Sequence, residues 1–213
     1  MLCYKKFLTS IDNSFIYYEV SKQKKGEKMS EENENDMLID RLLKTRSVII
    51  SGEINQKLVD TVAKQLFVLQ DESDDPIRVF INSQGGHVES GDTIYDLFKF
   101  VRPKIIAIGT GWVASAAITI YLGAAKENRL SLPNTRYLIH QPMGGVQGTA
   151  SDIKIEAEEI IKIRKRVNKI ISNETGQNIK KVEKDTERNY WMSADEAIHY
   201  GLVSRIVQNE KEI

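Results

Sequence analysis

The sequence is poor in the residues that mark several common classes of protein. Its single cysteine, Cys3, excludes an internal disulfide and a cysteine-based zinc cluster. The three histidines, His87, His140 and His199, are too dispersed for a metal motif, so we expect no metal and no cofactor. Basic and acidic side chains number 30 each, which favours neither nucleic acid nor an anionic membrane as a partner.

Long apolar runs are also absent. No run approaches the roughly 18 residues of a membrane span, and the N-terminus lacks the apolar core of a signal peptide. We therefore expect a cytoplasmic protein. With 41% hydrophobic residues and four prolines, the chain has the composition of an ordinary folded domain.

Strand and helix patterns alternate along the chain. Val48–Ile54 and Ile77–Asn82 have the β-branched character of strands, whereas Leu58–Leu69 and Thr93–Val101 have helical periodicity. Repeated crossovers of this kind favour an α/β fold with mainly parallel strands.

One serine stands where a strand pattern, Ile105–Gly109, gives way to an apolar helix pattern that continues through Ala124. Ser115 lies among small residues in the run Gly111-Trp112-Val113-Ala114-Ser115-Ala116-Ala117. A serine at the start of a helix has free backbone N–H groups beside it, and these suit a developing oxyanion. Ser115 is thus a candidate nucleophile, and the alternative is that it only caps the helix.

Two further segments supply partners for a nucleophile. His140 follows the short apolar run Tyr137–Ile139 and precedes a turn rich in glycine and proline, where it could act as a base. Gly85 and Gly86 follow another strand and allow backbone N–H groups to approach a substrate closely. A structural histidine and an ordinary turn are the alternatives for these residues.

Taken together, these motifs resemble the ClpP family, the proteolytic subunits of the Clp protease. The resemblance extends from about Leu42 to Val207 and depends on the order and spacing of several motifs. They are Ile81-Asn82-Ser83-x-Gly85-Gly86, Ala114-Ser115, Leu132-Pro133-Asn134-x-Arg136, Ile139-His140-Gln141-Pro142-x-Gly144-Gly145-x-Gln147-Gly148, Asp185-Thr186-Glu187-Arg188, Met192-Ser193-Ala194-x-Glu196-Ala197 and Tyr200-Gly201-Leu202.

The resemblance implies a serine endopeptidase that degrades unfolded proteins to short peptides. Ser115 would be the nucleophile, His140 the general base, and the backbone N–H groups of Gly86 and Ala116 the oxyanion hole. The implied fold is α/β, a ClpP/crotonase-like spiral of ββα units, with a protruding strand-helix handle whose helix covers about residues 151–175. Burial of that helix against its own domain is the alternative. The G-x-S-x-G elbow of α/β-hydrolases is absent around Ser115.

The third catalytic position departs from the family, which usually has an aspartate where this chain has Asn189. In a serine triad the carboxylate fixes the histidine tautomer and stabilises the imidazolium. An asparagine oxygen can accept the same hydrogen bond but carries no charge. Asp185 and Glu187 lie nearby, and a helical segment would put Asp185 on the same face as Asn189. We therefore expect a peptidase that is weak alone unless one of these carboxylates replaces the missing charge.

The resemblance also implies partners. These are two stacked heptameric rings with Arg188 near the ring-to-ring contact, a second ClpP paralogue, and an AAA+ unfoldase of the Clp family that feeds in unfolded proteins. The chain contains no G-x-x-x-x-G-K-[ST] motif, so ATP is assigned to the unfoldase. A non-catalytic or regulatory subunit of a mixed ring is the main alternative function. An acyl-CoA enzyme of the crotonase type is a third alternative.

The N-terminal region does not match the family. We interpret residues 1–28 as a non-native or disordered extension, because the codons for Lys25–Lys28 accommodate a ribosome-binding sequence just before Met29. Residues 29–40 are predicted to form a flexible acidic segment. Residues 41–213 would then form the ClpP-like peptidase domain.

Overall fold

The computed structural model describes the chain from residue 31 to residue 213, so the extension predicted over residues 1–28 lies outside the described residues. Within this range the chain forms seven α-helices and seven β-strands. The helices are α1 (Glu31–Lys44), α2 (Gln56–Glu72), α3 (Val88–Phe100), α4 (Ala116–Leu122), α5 (Ala150–Thr175), α6 (Ile179–Asp185) and α7 (Ala194–Tyr200). The strands are β1 (Ser47–Ile54), β2 (Ile77–Gly86), β3 (Ile105–Ala114), β4 (Arg129–Ser131), β5 (Arg136–Ile139), β6 (Tyr190–Ser193) and β7 (Arg205–Ile206).

All seven strands belong to one sheet. Its main path runs β1-β2-β3-β4-β7, and every pair along it is parallel. A branch leaves the path at β3, where β5 pairs with β3 in parallel and with β6 in antiparallel orientation. The predicted α/β class with mainly parallel strands is therefore confirmed.

The helices pack against this sheet through regularly spaced apolar residues. In α2 the buried side chains are Val59, Val62, Leu66 and Leu69, which repeat at the spacing of one helical face. Asn55 begins the helix, because its side-chain oxygen accepts a hydrogen bond from the Leu58 N–H at 3.0 Å. These residues join the buried faces of β1 and β2 in the main core.

Several elements are longer than the sequence predicts, including β2, which continues to Gly86 instead of ending at Asn82, and α2, which covers Gln56–Glu72 instead of Leu58–Leu69. Strand β3 continues to Ala114 instead of ending at Gly109, so Ser115 comes directly between the strand and α4. Helix α3 begins at Val88 instead of Thr93, and Gly91 lies inside it. A Cβ atom at Gly91 would lie 3.0 Å from the Ala116 oxygen, so the glycine allows α3 and α4 to approach closely.

Helix α5 is the longest helix described. Thr149 and Asp152 form a capping box at its start, and Gly176, with φ at 79°, ends it in the left-handed conformation. Residues 140–149, between β5 and α5, form neither helix nor strand. The first half of α5 is largely exposed, including Ile153, whereas its second half buries Val167, Asn168, Ile171 and Thr175.

The acidic segment at 29–40, for which the sequence predicts flexibility, contains the beginning of α1. Arg41 and Lys44 lie in the last turn of this helix, where their positive charges complement the helix dipole. Among the described residues no helix is both long and apolar enough to cross a membrane.

Candidate active site

The three predicted catalytic side chains meet at one end of the β3-β5-β6 branch of the sheet. Ser115 follows the last residue of β3, His140 follows the last residue of β5, and Asn189 precedes the first residue of β6. Strands β3 and β5 are parallel, so both end at the same edge. Strand β6 is antiparallel to β5 and therefore begins there, with Tyr190 opposite Ile139.

Two hydrogen bonds connect these side chains. His140 Nε2 lies 2.7 Å from Ser115 Oγ, and His140 Nδ1 lies 3.0 Å from Asn189 Oδ1. Because the amide oxygen can only accept a hydrogen bond, Nδ1 carries the proton, and this N–H donates a hydrogen bond to Asn189 Oδ1. The lone pair of Nε2 then accepts from the Ser115 hydroxyl, which is the orientation required for a general base.

The Asn189 side chain is held from one side only. Its exposed amide makes the bond to His140 through Oδ1, and no hydrogen bond to its Nδ2 is found among residues 31–213. Compared with a carboxylate, this contact supplies the tautomer preference without the negative charge.

Ser115 has an unusual backbone conformation. Its φ angle is 57° and its ψ angle is −125°, a combination that costs a non-glycine residue roughly 1–3 kcal/mol. The Ser115 N–H donates to the Leu138 oxygen of β5 at 3.0 Å, which fixes the turn. The Ser115 side chain makes no capping hydrogen bond to α4, and its Oγ lies 2.7 Å from His140 Nε2 instead. The alternative that Ser115 only caps the helix is therefore wrong.

The glycine pair, which forms the end of β2 instead of a loop after it, lies directly against this turn. Gly85 and Gly86 have φ angles of 98° and 153°. A Cβ atom at Gly85 would come within 2.6 Å of Ser115 Cβ and 3.1 Å of the Ala116 nitrogen. The Gly85 N–H also donates to the buried Ser83 hydroxyl at 3.0 Å, which anchors the glycine pair. The Gly85 backbone, one residue before the candidate oxyanion-hole amide of Gly86, thus lies close to the Ala116 nitrogen, the other candidate.

The two nearby carboxylates do not contact His140. Helix α6 ends at Asp185, so the chain is not helical through Asn189 and the two side chains do not share a helix face. Asp185 instead accepts hydrogen bonds from Lys181 and from Tyr200, the latter at 2.9 Å. Burial, together with this bond to Asp185, raises the pKa of Tyr200 above its usual range. Glu187 contacts the site only through its backbone oxygen, which accepts from Gln141 Nε2.

An apolar pocket opens beside the Ser115 hydroxyl. It reaches from the catalytic pair to α5, and Thr119 is the polar member of its wall apart from that pair. The lining residues are Val88, Ser115, Ala116, Ile118, Thr119, Ile139, His140, Pro142, Val167 and Ile171. Local sequence does not predict that Val167 and Ile171 of α5 line this pocket, because periodicity indicates an apolar helix face without indicating which cavity that face lines.

A second, open hollow lies on the Asn189 side of His140. Gln141, Met143, Glu187 and Arg188 line it together with that pair, and Met143 is 84% exposed. Arg188 is exposed there, and its predicted contact with a second ring stays a prediction. Among residues 31–213 no group of His, Cys, Asp or Glu side chains could hold a metal ion.

Comparison with known proteins adds an independent observation. A family model described as Clp protease matches residues 30–210. The chain is 59% identical over 172 residues to the ATP-dependent Clp protease proteolytic subunit 3 of Rhizobium meliloti, covering 81% of this chain and 88% of the relative. It is 51% identical over 176 residues to proteolytic subunit 2 of Pseudomonas aeruginosa, covering 83% and 88%.

Solved structures show the same similarity. An asparagine-to-aspartate variant of ClpP1 from Listeria monocytogenes superposes with a TM-score of 0.77 at 55% sequence identity, covering 82% of this chain and 98% of that one. ClpP1 from the same organism gives a TM-score of 0.75 with the same identity and coverage. At this identity the similarity covers sequence as well as fold.

Proposed function

The chain belongs to the Clp protease family as one of its peptidase subunits, and we propose that it cleaves peptide bonds with Ser115 as nucleophile and His140 as general base. The observation that carries this proposal is the continuous pair of hydrogen bonds from Ser115 Oγ through the imidazole to Asn189 Oδ1, at 2.7 and 3.0 Å. The positions of these atoms support the proposed roles, because Nε2 faces the hydroxyl and Nδ1 faces an acceptor oxygen.

In the first step Ser115 Oγ attacks the scissile carbonyl carbon while His140 Nε2 takes its proton. Negative charge moves to the carbonyl oxygen, where the N–H groups of Gly86 and Ala116 would stabilise it. His140 is then an imidazolium, and its Nδ1–H remains bonded to Asn189 Oδ1. The tetrahedral intermediate collapses as Nε2 returns the proton to the leaving amine, which leaves an acyl group on Ser115.

In the second step water attacks the acyl carbon and gives one proton to His140 Nε2. Collapse of the second intermediate breaks the ester bond, and Nε2 returns the proton to Ser115 Oγ. His140 becomes positively charged in both steps. The Asn189 amide stabilises this charge through its dipole alone, because it carries no negative charge. We therefore propose that the subunit is slow when it acts alone.

Covalent labelling tests the proposed nucleophile. A fluorophosphonate probe should modify Ser115 in the full-length protein, with the site located by peptide mass spectrometry, and the Ser115→Ala variant should remain unlabelled. Labelling at another serine, or equal labelling of both proteins, would show that Ser115 is not the nucleophile.

Gly85→Ala is expected to lower peptide turnover by at least about 100-fold, because a Cβ at a φ of 98° is strained and would collide with Ser115 Cβ and the Ala114 oxygen. Turnover of a fluorogenic peptide and the midpoint of thermal unfolding measure the effect. Gly145→Ala is the matched control, since nothing lies within 4 Å of its Cβ position. Equal activity of the two variants would contradict the close approach of the glycine pair to Ser115.

The pocket beside Ser115 predicts the residue that precedes the cleaved bond. The apolar wall of valine and isoleucine matches leucine or methionine in chemical character, whereas a charged side chain would be buried without a partner. We expect peptides with leucine at this position to have a kcat/KM about 100-fold above matched peptides with lysine or glutamate. Comparable rates for the three peptides would show that this pocket does not hold the substrate side chain.

We also propose an assembly of two stacked heptameric rings, working with an AAA+ unfoldase that delivers unfolded proteins. The exposed apolar side chains of Ile153, Ile155 and Ile161 on α5 support a contact with another ring, since apolar residues grouped on one exposed helix often mark an interface. Sedimentation or mass photometry of the intact protein tests it, and a monomer at micromolar concentration would contradict it.

Asn189 favours a second candidate function, that of a regulatory or non-catalytic subunit in a mixed ring with a ClpP paralogue. In such a ring the activity would come from the partner subunits. Co-expression with a paralogue distinguishes the two, because Ser115→Ala in this chain would leave the mixed ring fully active only under the second candidate.

A further inference from the structure

The short segment that presents Asn189 is tied to the segment that presents His140. The Gln141 N–H donates to the Thr186 oxygen at 2.6 Å, and Gln141 Nε2 donates to the Glu187 oxygen at 2.8 Å. Gln141 directly follows His140 in the chain. These two bonds therefore set the spacing between the backbones on either side of the His140–Asn189 contact.

The same segment is anchored to α5 on its other side. The Thr186 hydroxyl lies 2.9 Å from Asn168 Oδ1 and 2.9 Å from the Val182 oxygen. Thr186 is fully buried, and Asn168 is 2% exposed. A buried polar pair that joins two helices is costly to disrupt, because each group left alone would lose its hydrogen bond without gaining water.

This anchoring matters because the third catalytic group is an amide. A carboxylate attracts an imidazolium through charge, with either oxygen and over several ångströms. The Asn189 amide acts only through a hydrogen bond, which weakens steeply with distance and angle, and only one end of the amide accepts. No second hydrogen bond of Asn189 within residues 31–213 holds that end towards His140.

We propose that Asn168 and Thr186 are positioning residues that hold Asn189 Oδ1 against His140 Nδ1, and that this chain depends on them because residue 189 carries no charge. The proposal rests on the proposed peptidase function. It predicts coupling between positions 186 and 189. Loss of the Asn168–Thr186 hydrogen bond should lower kcat with asparagine at position 189 and lower it far less with aspartate there.

The test compares Thr186→Val with the parent, once with Asn189 and once in the Asn189→Asp background. In the Asn189 background we expect kcat for a fluorogenic peptide to fall about tenfold, with KM within a factor of two. With aspartate at 189 the fall should be threefold at most. Thr186→Ser keeps the hydroxyl and should restore kcat to within a factor of two of the parent.

Thr175→Val is the matched control. Like Thr186, Thr175 is a buried threonine, and it is the last residue of α5. Its hydroxyl donates to the Ile171 oxygen, and it does not touch the segment that presents Asn189. It should lower the unfolding midpoint while leaving kcat unchanged. If Thr186→Val folds poorly, Gln141→Met removes the side-chain bond to Glu187 and should lower kcat about threefold with Asn189 only.

Equal losses in the two backgrounds, or equal losses in Thr186→Val and Thr175→Val, would overturn the proposal and leave Thr186 a purely structural residue. Failure of the peptidase function itself has a different signature. In that case Ser115→Ala would be as active as the parent, and no variant at position 186 would alter probe labelling of Ser115.

Discussion

Asn189→Asp is expected to raise peptide turnover by about 2- to 30-fold. The His140 imidazolium forms in both chemical steps, and its Nδ1 lies 3.0 Å from residue 189. A hydrogen bond to a charged group contributes about 1.5–3 kcal/mol, against about 1 kcal/mol for a neutral one. Each 1.36 kcal/mol changes a rate tenfold.

The upper limit is a factor of about 10⁴, the loss in kcat when the triad aspartate of trypsin is changed to asparagine. Asn189 is exposed, so water screens the added charge and the expected gain lies below this limit. The gain should appear in kcat rather than in KM, because the imidazolium exists in the transition state and not in the free enzyme.

The measurement is the steady-state turnover of a short fluorogenic peptide by parent and variant, after sizing has shown the same assembly for both. Asn178→Asp is the matched control. Asn178 is exposed and caps α6 through its side-chain oxygen, a role that aspartate also fills, but it does not contact His140. Unchanged turnover in a correctly assembled Asn189→Asp sample would show that residue 189 does not limit the rate.

The outcome also separates the two candidate functions. A slow parent with a fast variant would mean that the nucleophile and oxyanion hole are competent, as the proposed peptidase function requires. If neither protein cleaves the peptide in a full-sized assembly, residue 189 is not the cause of the inactivity. This result would favour the non-catalytic subunit.

Ser115→Ala in the Asn189→Asp background is expected to lower turnover by at least about 10³-fold. Loss of the nucleophile removes the acyl-enzyme route altogether, and single deletions in serine triads cost several orders of magnitude in kcat. Alanine retains the backbone conformation that serine already adopts there. The fold should therefore persist, with an unchanged unfolding profile and assembly.

Ser204→Ala serves as the matched control for this variant. Ser204 is partly buried and bonds to Arg129 only through its backbone N–H. It should retain the full activity of its background. A Ser115→Ala protein with more than a few per cent of the activity of that background would mean that another group performs the attack, or that a contaminating peptidase supplies the rate.

Much of this site could be predicted from local sequence. Ser115 stands at a strand-to-helix turn among small residues, His140 follows an apolar run, and the glycine pair follows a strand, so each residue is placed by its immediate neighbours. The resemblance to a family then indicated that Asn189 occupies a catalytic position. The parallel fold followed from the repeated order of strand and helix.

Asp185 shows the limit of local reasoning. A helix through residue 189 would have put its carboxylate on the same face as Asn189, but α6 ends at Asp185 and the side chain bonds to Lys181 and Tyr200. Tyr200 is brought there by the packing of α7, which the sequence around Asp185 does not encode.

The sequence by itself determined the residue types: a serine and a histidine that each follow a strand pattern, and an uncharged amide at the third catalytic position. Only the tertiary structure decided that these three meet, because the pairing of β3, β5 and β6 brings their ends to one edge. The same holds for the anchor between Asn168 and Thr186, which lie on different helical segments. Periodicity reports which face of a helix is apolar, whereas a hydrogen bond between distant residues depends on how the helices pack, and no local pattern contains that information.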